Sequence, residues 1–169
     1  PKATAFFSEA LADPDNSTCC DQGAARAEWA SISHGIYISI GAAGLHRSLG
    51  VKVSFVQSTT MDSWRPVHLK MMEMGGNRRF TDFLRSQNVP DDMPIREKYS
   101  TRAAAWYRRD LRARAEGLEP PEPLELGTGH LPEEGSAAHT QAVLDRVFAA
   151  VPTGDEMTAG GVSRAPPAP

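Results

Sequence analysis

The spacing of apolar and polar residues divides the chain into short elements. Residues 2–12, KATAFFSEALA, contain neither glycine nor proline and predict a short helix that ends at the DPDN turn. GIYISI (35–40) is β-branched and aromatic and predicts a strand, with AAGLHRSLG (42–50) as a short helix or turn after it. VKVSFVQS (51–58) alternates, which predicts another strand with Val51, Val53 and Phe55 on one face. Helices are expected afterwards. Ser63 is placed to cap a helix that admits Pro66 in its first turn and runs through Leu69, Met71 and Met72 to Gly75 and Gly76. NRRFTDFLRSQ (77–87) sets Phe80, Phe83 and Leu84 at i, i+3 and i+4. A longer helix is predicted over 94–117, with Tyr99, Ala103, Trp106 and Leu111 near one stripe and Gly117 as its stop. Residues 118–135 have no periodicity and should lie extended. Ser136 then caps an amphipathic helix, near 136–151, that carries Val143, Leu144, Val147 and Phe148.

Charge sharpens this division. Residues 1–118 carry a net +3 and residues 119–169 a net −6, and the second stretch holds eight of the 13 prolines. The chain therefore reads as a mildly basic domain, 1–118, followed by an acidic, proline-rich tail, 119–169. Neither charge is large enough to imply nucleic acid. No apolar run approaches the roughly 18 residues of a membrane span. The first residue is Pro1, so a removed leader and import into an organelle stay open as an expectation.

Both cysteines stand together in NSTCCDQG (16–23). Two cysteines give no disulfide framework, suit a reducing compartment, and rarely bridge each other when adjacent. A metal knuckle requires C-x2-C, and here Gln22 occupies the place of the second thiolate.

The stretch from Asn16 to Trp64 resembles the catalytic domain of Arf GTPase-activating proteins. That family's signature runs C-x2-C-G, then W-A-S, then G-I-F-x-C-x-x-C-S-G-x-H-R-x-L-G, a strand, and leucine or methionine followed by Asp, any residue and Trp. The matching text is CCDQG, then EWASISHGIYISIGAAGLHRSLGVKVSFVQSTTMDSW. The likeness continues through GGNRRF and REKYSTRAA and covers roughly residues 2–118. It implies an α+β fold in which helices surround a small β-sheet and a zinc finger.

Four cysteines in the pattern C-x2-C-x16-C-x2-C hold one structural zinc in the family. The corresponding residues here are Cys19, Gln22, Ser39 and Ala42, at the same spacing. An amide and a hydroxyl are weak zinc ligands and a methyl is none, so the expectation is a degenerate, zinc-free finger with no cofactor. A substitute ligand set drawn from Cys19, Cys20, His34 and His46 is the alternative. Structural zinc contributes about 10–16 kcal/mol to a small finger, so its loss requires compensation. Packing of Ile36, Ile38, Ile40, Ala42 and Ala43 into the vacated site is one source, and a permanent partner is another.

The family presents an arginine to the transferring phosphoryl group, and the resemblance maps that residue to Arg47. The tryptophan of W-A-S maps to Trp29, as a support for the finger, and the aspartate to Asp62, which would orient or pair with it. Lys52 replaces the usual histidine of the family, and Arg108, Arg109, Arg112 and Arg114 form a basic helix face. Two readings follow. Loss of three ligands favours a domain kept for its shape, a non-catalytic subunit whose tail lies along other proteins of an assembly. The alternative is a zinc-independent activator of an Arf-type small GTPase that uses Arg47, a reading supported by the retention of Trp29, Arg47 and Asp62. The family resemblance implies the cytoplasm, and neither reading involves nucleic acid.

Overall fold

A computed structural model describes residues 2–150. Among these, an antiparallel sheet of order β2-β1-β3 is formed by β1 (Trp29–Ser31), β2 (Ile36–Ile38) and β3 (Val56–Ser58). Helices accompany it: α1 (Lys2–Ala10), α2 (Pro14–Ser17), α3 (Ile40–Ser48), α4 (Pro66–Met74), α5 (Asn77–Ser86), α6 (Ile95–Lys98), α7 (Arg102–Glu116) and α8 (Ala137–Ala149), the last with no buried residue. The α+β class predicted from the sequence is the class observed.

The core lies between the sheet, α5 and α7. Every residue of β2 is buried, and Ile32, Phe80, Tyr99 and Leu111 close over it. The Phe80 and Tyr99 rings stack at 5.7 Å, with Tyr107 edge-on to Phe80 at 5.1 Å. Asn77 joins three segments to this core. Its Oδ1 accepts from the Tyr37 amide at 2.7 Å, while Nδ2 donates to the Asp15, Thr18 and Tyr37 carbonyls.

Several elements depart from the expected boundaries. The strand predicted over 51–58 is confined to Val56–Ser58, because the Val53 and Ser54 amides turn back onto the Gly50 carbonyl and leave the ladder. Val51 is 69% exposed and shares no buried face with Val53 and Phe55. Arg65, not Ser63, precedes α4, since the fixed φ of Pro66 suits the first helical position. The helix predicted over 94–117 breaks in two. Thr101 turns its hydroxyl to the Ala104 amide and so caps α7 just after α6 ends. Gly117 stops α7 in the left-handed region, as expected. Ser136 caps α8 through the His139 amide, also as expected.

The extended stretch after Gly117 folds back on its own domain. Leu131 and Gly129 carbonyls accept from the Arg102 and Ala103 amides, at 2.8 and 2.9 Å, and the Glu133 amide donates to Ser100. Trp106 Nε1 donates to the Glu122 carbonyl at 2.8 Å, and Arg108 and Arg109 both reach the Glu133 carboxylate. The expected partner for this segment was another protein, and residues 119–133 find one in α7. Residues 151–169 lie outside the described residues, and with them GGVSRAPPAP (160–169), which the sequence reads as a flexible end.

Gly35 and Gly75 meet backbone to backbone. A Cβ at position 75 would stand 2.7 Å from the Gly35 carbonyl oxygen and 2.8 Å from its Cα, with no flexible side chain to yield. Gly75→Ala is expected to destabilise the fold by about 1–3 kcal/mol, read as a lowered midpoint in chemical denaturation. An unchanged midpoint would mean that this crossing is loose.

Candidate functional site

Arg47 lies in the last turn of α3, on the exposed side of the helix. Ser39 starts that helix, accepting from the Ala42 amide at 3.2 Å. The Arg47 guanidinium carbon sits 4.9 Å from the centroid of the Trp29 ring. Stacking on an indole holds a cation while leaving its donors free. No carboxylate among the described residues comes within 4.0 Å of the Arg47 nitrogens. This is an exposed, unpaired fork of hydrogen-bond donors held on a ring, suited to an anion with several oxygens.

Asp62 acts elsewhere than expected. Its Oδ2 accepts from the Ser58 amide at 2.7 Å, and Trp64 Nε1 donates to the Ser58 carbonyl at 3.0 Å. Ser58 pairs with Trp29 across β1 and β3. Asp62 therefore fixes the turn behind Trp29 and makes no ion pair with Arg47 among the described residues. The structure brings Arg47 and Trp29 together and links Asp62 to them through one strand pair.

Beneath Arg47, a chain of buried polar groups runs through the domain. His46 Nε2 donates to Asp21 Oδ2 at 2.7 Å, and both side chains are fully buried. Tyr99 Oη and Lys98 Nζ donate to the same carboxylate at 2.8 and 3.1 Å. On the other side, His46 Nδ1 lies 2.8 Å from Ser54 Oγ, which lies 2.7 Å from Ser31 Oγ, which lies 2.9 Å from His34 Nδ1. Burial pushes the Asp21 carboxyl up, but the His46 hydrogen bond, the Lys98 charge and the Tyr99 hydroxyl outweigh it and hold the group below the usual range. Nothing in the sequence singles out Asp21. Its partners are up to 78 residues away, and no local pattern distinguishes it from an ordinary loop aspartate.

Burial, aided by the nearby Arg108 charge, pulls the His34 pKa well below that of a free imidazole, so His34 stays neutral in the fold. The unfolded chain takes up that proton near pH 6.5. Its contribution is complete above that pH and is lost as pH falls through it, at up to about 1.4 kcal/mol per pH unit. Urea midpoints measured from pH 8 to 5 should fall below about 6.5. A flat profile would mean that His34 protonates freely in place.

The residues at the zinc positions do not fit that metal. Ser39 Oγ donates to Gln22 Oε1 at 2.8 Å, so the second and third positions are bonded to each other. Ala42 is fully buried and offers only a methyl. The substitute set is also not assembled: His46 engages both ring nitrogens, and His34 Nδ1 is engaged with Ser31. The Cys20 thiol is pushed up to about 12, mainly by burial and then by the Asp21 charge, which opposes thiolate formation. Ile36, Ile38, Ala42 and Ala43 are buried as expected, but Ile40 is 75% exposed and does not fill the site.

The basic face of α7 is largely paired within the chain, Arg112 with Glu116 and Arg114 with Asp110 besides the two arginines on Glu133. Lys52 lines a groove together with Arg65, Arg108 and Arg112, over a floor that includes Phe55 and Met71. No helix among the described residues is long and apolar enough to cross a membrane.

Residues 4–116 match the ArfGap family model, described as "Putative GTPase activating protein for Arf". The ADP-ribosylation factor GTPase-activating protein GCS1 of Saccharomyces cerevisiae is 41% identical over 96 residues, covering 57% of this chain and 27% of the relative. ADP-ribosylation factor GTPase-activating protein 3 of Bos taurus is 40% identical over 111 residues, covering 65% and 21%. Among solved structures, a "putative GTPase activating protein for ADP ribosylation factor" from Cryptosporidium parvum is 27% identical, with a TM-score of 0.58 over 69% of this chain and 90% of that one. The chain belongs to the ArfGap family. It spans about a quarter of the length of these two curated relatives.

Proposed function

We propose that this domain accelerates GTP hydrolysis on an Arf-type small GTPase, with Arg47 as the arginine supplied to the transition state. The observation that carries this reading is the exposed Arg47 guanidinium, seated on Trp29 and free of any carboxylate among the described residues. Phosphoryl transfer spreads charge over three equatorial oxygens, and a permanently ionised fork is the side chain suited to meet it. Trp29 fixes where the fork stands, and Asp62 holds the strand turn behind Trp29. The names of the family and of its relatives support the same activity.

The non-catalytic reading takes part of its support from a tail in need of foreign partners. Residues 119–133 instead dock on α7, which removes that support for this stretch alone, since α8 leaves Val147 and Phe148 exposed. The lost zinc ligands remain the observation on its side.

Single-turnover GTP hydrolysis by a panel of Arf-type GTPases, with and without this chain, tests the proposal. Acceleration of about two decades or more is expected from a working arginine finger. No acceleration from a folded sample, across the panel, would return the domain to the non-catalytic reading.

A further inference from the structure

In a zinc finger of this spacing, the metal ties the loop holding the first two ligands to the segment holding the last two. Here the same loop is tied to the same segment by side chains. Gln22 reaches the start of α3, where Ser39 Oγ donates to its Oε1 at 2.8 Å. Asp21, the preceding residue, reaches the end of α3, where His46 Nε2 donates to its Oδ2 at 2.7 Å. Two consecutive residues thus grip one helix at points roughly 10 Å apart along its axis. The Gln22 amide lies closely over the first turn, since a Cβ at Gly41 would stand only 3.1 Å from Gln22 Oε1. A backbone bond completes the attachment, from the Cys20 amide to the Tyr37 carbonyl at 3.0 Å, while the Cys19 amide closes the loop on itself at the Ala25 carbonyl, 2.7 Å away.

We infer that the Gln22–Ser39 clasp, with Asp21–His46 as its second anchor, takes the place of the structural metal, and that this chain folds without one. Each Ser39 contact has a defined part. The hydroxyl hydrogen goes to Gln22, and an oxygen lone pair accepts from the Ala42 amide and caps α3. Substituting the hydroxyl therefore removes a clasp and a cap together, and a single variant cannot separate them.

Two measurements on the full chain test this. The first is the zinc content of the purified protein, with melting curves in a strong zinc chelator and in added zinc. Well under one zinc per chain is expected, with the midpoint unmoved by either addition. Stoichiometric zinc, or a midpoint that falls in chelator, would overturn the inference. The second is a cycle of Gln22→Ala, Ser39→Ala and the double variant. Gln22 is exposed, so its truncation leaves the core intact. Each single variant is expected to lower the midpoint by about 2–4 °C, and the double variant by clearly less than the sum. Additive shifts would show that the two side chains act separately, and the clasp would be rejected.

Discussion

Arg47→Ala is expected to lower the saturating rate of stimulated GTP hydrolysis by about 10³–10⁵-fold, the range that an arginine finger supplies. The size of the effect follows from what the side chain contributes and from how little else it does. Arg47 is exposed and rests on the face of Trp29. Its removal should change stability by no more than about 1 kcal/mol, the scale of an exposed cation–π pair. A fall in rate with an unchanged melting temperature would therefore locate the loss in the transition state. Arg47→Lys keeps the charge but not the planar fork, and should recover little of the rate. Trp29→Ala tests the support separately: the arginine is retained but loses its seat, and the rate should fall, since a displacement of about 1 Å can cost roughly 100-fold. Single-turnover measurements at saturating activator read all three variants. Equal rates for the wild-type chain and Arg47→Ala, with both accelerating hydrolysis, would exclude Arg47 as the finger.

Asp21→Asn should be the most damaging isosteric change in the fold, at about 3–5 kcal/mol. The carboxylate has no exposed surface and serves three donors, His46, Tyr99 and Lys98. The amide keeps the volume but removes the charge opposite Lys98, whose side chain is only 7% exposed. It also turns an N–H toward groups that already donate, leaving buried polar atoms unsatisfied. Chemical denaturation at neutral pH reads the loss as a lower midpoint with an unchanged slope. Adding Lys98→Met to Asp21→Asn should restore part of it, because the stranded cation is then absent. A loss below about 1 kcal/mol would show that water reaches this carboxylate in solution.

The sequence carried most of the helices, for a physical reason. Caps and stops are local: Ser136 and Gly117 declare themselves beside the elements they bound, and Phe80 with Leu84 repeat at helical spacing. Arg47 and Trp29 stand out by resemblance alone, and only the fold shows their contact. What escaped the sequence is what depends on distant partners. Strand β1 is three residues long and owes its form to neighbours on both sides, so WAS alone shows no alternation. The break at Ser100–Thr101 interrupts a stretch of good helix formers and becomes legible only when the Thr101 hydroxyl is seen to cap α7. Asp21 reads as a loop residue until α3 and α6 converge on it. Asp62, carried over as a partner for the arginine, instead holds the Ser58 turn.

The docking of residues 129–133 on α7 bears on where this domain ends. The first amides of a helix have no partners within it, and in α7 two of them rest on carbonyls from Gly129 and Leu131. The family match closes at residue 116, before those carbonyls are reached. Inherited likeness and the set of residues bonded to the start of α7 thus have different limits in this chain. A polypeptide trimmed to the matched region would keep the arginine and its tryptophan, yet expose the start of its longest helix to solvent.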